Sequence, residues 1–206
     1  LESRGVKSSD IVVSGIPIAP VFAGRYSRSE CAAELGIKSD LATFLLMSGG
    51  VGLGGTEKLA AEILAEERGF QLIVLAGRNR ELFEQLSSLS REYPGRLLPL
   101  PFTQTIERVM SCADLAITKP GGLTTSECLA LGLPMLVVDP IPGQEERNSD
   151  YLLEQGAALK AVDTAGVLYR IRKILHDQSI LAELSRRAKA LGKPRAASVI
   201  LEKVLA

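Results

Sequence analysis

The 206-residue chain has no tryptophan, few other aromatics and a single histidine, and these shortages bear on function. Bases of single-stranded nucleic acid stack on aromatic platforms, which a chain with 4% aromatic residues hardly supplies. Nor is there an excess of positive charge to meet a phosphate backbone, since 24 basic residues balance 24 acidic ones. Nucleic acid is therefore not expected as a partner. Cysteines number only three, Cys31, Cys112 and Cys128, odd in count and far apart. That pattern fits neither a disulfide framework nor a metal site, and it points to a reducing compartment, the cytoplasm. No apolar run approaches the roughly 20 residues of a membrane span. The opening residues lack a signal-peptide pattern, and a chain that begins at Leu1 is expected to be a piece of a longer protein.

What is abundant is apolar residue, 46% of the chain, enough to fill a core. The apolar residues fall into short continuous runs that alternate with helical patterns. Candidate strands lie at 11–14, 41–47, 71–76, 96–100, 114–118, 134–138 and 158–162. Candidate helices lie at 27–35, 56–68, 80–92, 106–112, 123–131 and 145–155. Runs such as LATFLLM and MLVV are apolar throughout, which implies burial on both faces of a parallel sheet. The expected fold is α/β, a Rossmann-like doubly wound parallel sheet with a C-terminal helical tail. Three regions are expected: a proline-containing connector at 1–24, the Rossmann-like unit at 25–163, and tail helices at 164–206 packing on that unit. The last helix is expected to start near Arg195.

Ligands of such sheets lie beyond the carboxyl ends of the strands, where three loops attract attention. The first is Ser48-Gly49-Gly50-Val51-Gly52-Leu53-Gly54-Gly55, before the helix opening at Thr56. Its glycines allow a ligand to approach the backbone, and the helix N-terminus offers free N–H groups to a phosphate. A nicotinamide dinucleotide is disfavoured, because Ala76-Gly77-Arg78-Asn79 stands where an acid would hold the ribose. The second loop, 99–104, carries Phe102, which could cover a base but from the residues alone is better taken as core. The third is the stretch TKPGGLTTSECLALGLPMLVVDPIPGQEERNSDY at 118–151. In it Glu127, early in a helix, is suited to accept two hydrogen bonds from a vicinal diol, or simply to favour the helix N-terminus by its charge. Thr124 and Thr125 could donate to phosphate or cap the helix. Gln144 and Glu145 sit at the next loop-to-helix junction, where they suit sugar hydroxyls or form a solvated face. The lone His176 reads as a solvated helix-end residue.

The segments GGVGLGG, PFTQ, ITKPGGLTTSECLALGLPM and PIPGQEERNSDYLLEQGAA resemble the C-terminal half of monogalactosyldiacylglycerol synthases and processive diacylglycerol glucosyltransferases. A more distant likeness is to the peptidoglycan lipid-intermediate N-acetylglucosaminyltransferase. These are family 28 glycosyltransferases of GT-B fold, and the likeness covers nearly the whole chain. It implies a UDP-hexose donor domain of an inverting enzyme, with no cofactor. By position, Phe102 and Thr103 would bound the uracil and Glu127 the ribose. Lys119, Gly121, Gly122, Leu123 and Thr124 would line the diphosphate, with Gly49, Gly50, Val51 and Gly52 closing over it. Gln144 and Glu145 would read the sugar hydroxyls. The catalytic base and the site for a lipid acceptor such as diacylglycerol are implied in an N-terminal domain that these residues do not contain. The full-length enzyme is implied to sit peripherally on the cytoplasmic face of the membrane. Two alternatives stay open: a free-standing donor-binding subunit of a two-subunit N-acetylglucosaminyltransferase, and half of a UDP-sugar 2-epimerase.

Overall fold

The structure is a computed structural model that describes residues 1–47 and 55–205. Six strands form one sheet: β1 (Ala42–Met47), β2 (Phe70–Gly77), β3 (Leu97–Pro101), β4 (Leu115–Thr118), β5 (Met135–Val138) and β6 (Ala158–Ala161). Nine helices are described: α1 (Arg28–Leu35), α2 (Thr56–Glu66), α3 (Arg80–Ser90), α4 (Ile106–Cys112), α5 (Gly122–Leu131), α6 (Gln144–Glu154), α7 (Thr164–His176), α8 (Ser179–Leu191) and α9 (Ala196–Leu205). Every strand pair is parallel, and the strand order is β3-β2-β1-β4-β5-β6. The order reverses between β1 and β4, so the connections leaving those two strands diverge and open a crevice.

The continuous apolar runs are explained by burial on both faces. Phe44, Leu46, Leu72 and Val74 point to one face, where they meet Ile63 and Ile171. Leu45, Ile73, Ala116 and Val137 point to the other, packed with Met110 and Leu129. Helix α7 lies against β6 and α2, while α8 crosses to pack on α5 and anchors the tail beside it. The three cysteines are free and buried, and burial pushes the Cys112 thiol up to about 12.

Two expectations need correction. Residues 11–14 form no strand: the segment is unpaired, with Val12 and Val13 exposed. The apolar run there is only three residues, Ile11, Val12 and Val13, shorter than any strand of the sheet. The connector is also not wholly extended, since it contains short 3-10 turns at Glu2–Arg4, Ser8–Asp10 and Pro20–Ala23. Pro20 opens the last of these, where its fixed φ suits a first helical position, and Phe22 is buried against the α5 side. Most boundaries fall within two residues of expectation. Helix α2 stops at Glu66 because Glu67 turns extended, with φ −127° and ψ 151°.

The entry to the crevice strands is pinned by charge. Asp114, immediately before β4, accepts hydrogen bonds from Arg28 Nη1 at 2.7 Å and from the Thr43 backbone N–H of β1 at 2.7 Å. The Asp114 N–H in turn donates to the Thr43 carbonyl at 2.7 Å. Asp114→Ala is expected to cost about 2–3 kcal/mol, since it strands both donors. Urea denaturation checks this, and a loss below about 0.5 kcal/mol would contradict it.

Candidate functional site

A cleft of about 860 Å³ opens over the carboxyl ends of β2, β1 and β4. Its floor includes Met47 and Thr118, which are register partners at the order reversal. The side beyond β2 is formed by Leu75, Ala76 and Leu82, together with Arg78. The side beyond β4 is polar, formed by Lys119, Gly121, Thr124 and Glu127. Ile141 and Glu145 close it from the segment joining β5 to α6.

The polar side can hold an anion. Helix α5 begins after Gly121 with no side-chain cap. Its first internal bond of this kind runs from the Thr125 N–H to the Gly121 carbonyl at 2.8 Å. The N–H groups of Gly122, Leu123 and Thr124 thus have no helical acceptor, and the positive end of the helix dipole adds to them. Gly121 has φ −61°, open to any residue, and a Cβ there would meet only Glu145 Oε1 at 3.6 Å. Neither backbone strain nor packing therefore calls for glycine at 121. Its absent side chain instead leaves the helix start open to the cleft.

Charges on this side are mutually arranged. Lys119 Nζ lies 2.9 Å from Asp139 Oδ2. Asp139 follows β5 and has φ +44°, the positive φ found at no other non-glycine position among the described residues. Such backbone costs about 1 kcal/mol or more and tends to persist where function requires it. Glu145 Oε2 accepts from the Ile141 N–H at 2.7 Å, and Glu146 Oε2 accepts from the Gly143 N–H at 3.0 Å. Asn148 Nδ2 donates to the Pro120 carbonyl at 2.8 Å, which ties α6 to the loop before α5. Glu127 is half-buried, and desolvation raises its carboxyl above the ordinary value.

The cleft thus gathers Lys119, Gly121, Thr124, Glu127 and Glu145. Gly122 sits at the same helix start but faces Ile16 of the connector, while Leu123 and Gln144 are exposed outside the lining. Gly49, Gly50, Val51 and Gly52 lie outside the described residues. Phe102 is not a core residue: it is 53% exposed, on the loop that follows β3. The Arg78 guanidinium sits over its ring, 4.9 Å from the centroid. Thr103 Oγ1 accepts from the Thr105 N–H at 3.1 Å, which shapes the same loop. Arg78 and Asp139 were not singled out as site residues by the sequence. Arg78 had one available signal, its place just after a strand on the ligand edge. His176 ends α7, exposed, with Nδ1 2.8 Å from the Arg172 carbonyl.

A second cavity, of about 330 Å³, lies at the opposite edge beside Arg28 and Asp114. Of its three charged residues, Arg28 and Asp114 pair with each other, while Asp40 is exposed. Among the described residues no group of three or more His, Cys, Asp or Glu is arranged to hold a metal, and no helix is long and apolar enough to cross a membrane.

Comparison with known proteins bears on this geometry. Residues 57–200 match the glycosyltransferase family 28 C-terminal domain. The processive diacylglycerol beta-glucosyltransferase of Bacillus pumilus (strain SAFR-032) is 31% identical over 201 residues, covering 98% of this chain and 52% of that protein. The chain therefore spans about half the length of such relatives. Among solved structures, MurG of Acinetobacter baumannii superposes with TM-score 0.64 at 21% identity, covering 89% of this chain and 54% of that one. The UDP-GlcNAc 2-epimerase of Neisseria meningitidis, solved bound to UDP-GlcNAc, gives TM-score 0.71 at 15% identity, covering 99% and 57%. At these identities the two structures speak for the fold alone.

The half-buried carboxyl of Glu127 bears on stability. A carboxyl with a raised folded pKa binds more protons folded than unfolded, so its ionisation opposes folding. Stability attributable to it falls as pH rises from the ordinary glutamate range through the raised value. Glu127→Gln is expected to melt higher than the parent at pH 7, with the gap closing near about pH 4, where the parent carboxyl is largely protonated. Thermal unfolding at the two pH values checks this, and a variant that melts lower at neutral pH would contradict it.

Proposed function

Because the chain belongs to glycosyltransferase family 28 through its C-terminal domain, we propose that it is the donor half of an inverting enzyme that takes a UDP-hexose and delivers the hexose to a lipid hydroxyl. Diacylglycerol is the favoured acceptor, in keeping with the Bacillus pumilus relative. The fold is that of the C-terminal half of a GT-B enzyme. The observation that carries the proposal is one wall of the cleft, where the uncapped start of α5, Lys119 and Glu127 stand together.

In this reading the diphosphate lies at the N–H groups of residues 122–124, helped by Lys119. Glu127 accepts hydrogen bonds from the ribose diol. Phe102 and Thr103 border the uracil, and Gln144 and Glu145 read the sugar. The glycines at 49, 50 and 52, with Val51, cover the donor. In the reaction the acceptor oxygen, losing its proton to a base, bonds to the anomeric carbon while the bond to the β-phosphate oxygen breaks. Negative charge then develops on the departing UDP, where fixed N–H dipoles stabilise it without reorganising. The base and the acceptor surface are assigned to a companion N-terminal domain, and work on a lipid implies a peripheral place at the cytoplasmic membrane face. This chain alone is then a binding unit with little transfer activity.

Calorimetry tests the proposal. UDP is expected to bind with sub-millimolar affinity. Glu127→Ala should weaken it about tenfold or more, the worth of one or two charged hydrogen bonds. Gly121→Ala should also weaken UDP, while costing no more than about 1 kcal/mol in stability. Gln144→Ala and Glu145→Ala should change the ranking of UDP-glucose, UDP-galactose and UDP-N-acetylglucosamine more than they change UDP itself. No binding of UDP at millimolar concentration would refute the proposal.

A further inference from the structure

The cleft is polar at one end and apolar at the other, and this polarity orients any nucleotide within it. The β4 end holds Lys119 and the free N–H groups of α5. The β2 end holds Leu75, Ala76, Leu82 and Ile106, with Arg78 on its rim. Strands β2 and β4 are separated by β1, so the two ends lie about 10 Å apart, two strand spacings. A nucleoside diphosphate with its phosphates at α5 therefore extends its base toward β2 and β3.

Arg78 stands at this end, exposed on the cleft rim. It follows Gly77, whose φ of +60° turns the chain out of β2 at the cleft edge. No carboxylate among the described residues pairs with it, in contrast to Lys119, which Asp139 holds. Its one described partner is the ring of Phe102, 4.9 Å away. Guanidinium is planar, weakly hydrated and stacks on aromatic faces, and its free face can stack a base in turn. Phe102 is thereby occupied on the face that Arg78 covers.

Resting on the nucleotide-sugar reading above, we propose that Arg78 is a base-binding residue: its guanidinium, backed by Phe102, is the platform on which the pyrimidine of the donor stacks. Phe102 then acts mainly as a positioning residue that holds the guanidinium flat. The guanidinium edge, with its fixed N–H donors, also favours a ring bearing carbonyl oxygens.

The test separates a base contact from a phosphate contact. Affinities of UDP and UMP are measured by calorimetry, and of uridine by ligand-observed NMR, for the parent, Arg78→Ala, Arg78→Lys and Phe102→Leu. Arg78 is exposed, so its variants are expected to fold as the parent does. Arg78→Ala should weaken all three ligands by a similar factor, about tenfold, the scale of one stacked base. Arg78→Lys should recover little of this, because it restores charge without the plane. Phe102→Leu should shift all three the same way by less. Unchanged binding in Arg78→Ala would overturn the proposal. So would a loss confined to UDP and UMP and rescued by lysine, which would make Arg78 a phosphate contact. Failure of the parent to bind UDP would instead remove the nucleotide-sugar reading, and this proposal with it.

Discussion

The parallel pairing of β1 with β4 is the constraint on which the rest of the structure depends. It is where the strand order reverses, and reversal alone sends the chain away in two directions and opens a crevice. Everything receptive follows from that placement. Met47 and Thr118 become a floor, and the turn after β4 delivers an uncapped helix start to its edge. Asp114 secures the pair from the opposite end, bonding the Thr43 N–H of β1 and the Arg28 side chain together. The charged network at one edge of the sheet thus supports the ligand cleft at the other.

The cleft departs from what stability alone would select. Glu127 keeps a carboxyl where burial disfavours its charge. Asp139 holds a left-handed backbone to stand beside Lys119. Gly121 gives a helix start no cap although a side chain would fit. Each departure is modest, and together they leave donors, a cation and an acceptor carboxylate facing one space. Such local violations of folding preference are expected where a site has been built at some cost to stability.

The sheet was legible because its runs are buried on both faces, so continuous apolar stretches marked β1, β2, β4 and β5 almost to the residue. The same signal failed at 11–14, where the apolar run is only three residues and Val12 and Val13 stay exposed. Within the candidate site, Lys119, Gly121, Thr124, Glu127 and Glu145 share a motif-dense stretch and converge on the cleft. A lone aromatic after a strand carries no information about its exposure, so the sequence points Phe102 into the core where the structure leaves it exposed. Arg78 and Asp139 escaped notice for a related reason. Their significance lies in partners distant along the chain, the Phe102 ring and the Lys119 ammonium, which no local pattern encodes.

The central claim is that the β4–α5 junction receives the diphosphate of a UDP-sugar. Backbone amide NMR of isotopically labelled protein titrated with UDP tests it most directly. The largest shift changes are predicted at the amides of 121–124, with smaller ones at Arg78, Phe102 and Glu127. Changes that leave 121–124 untouched, or that centre on Arg28, Asp40 and Asp114 at the opposite edge, would contradict the account.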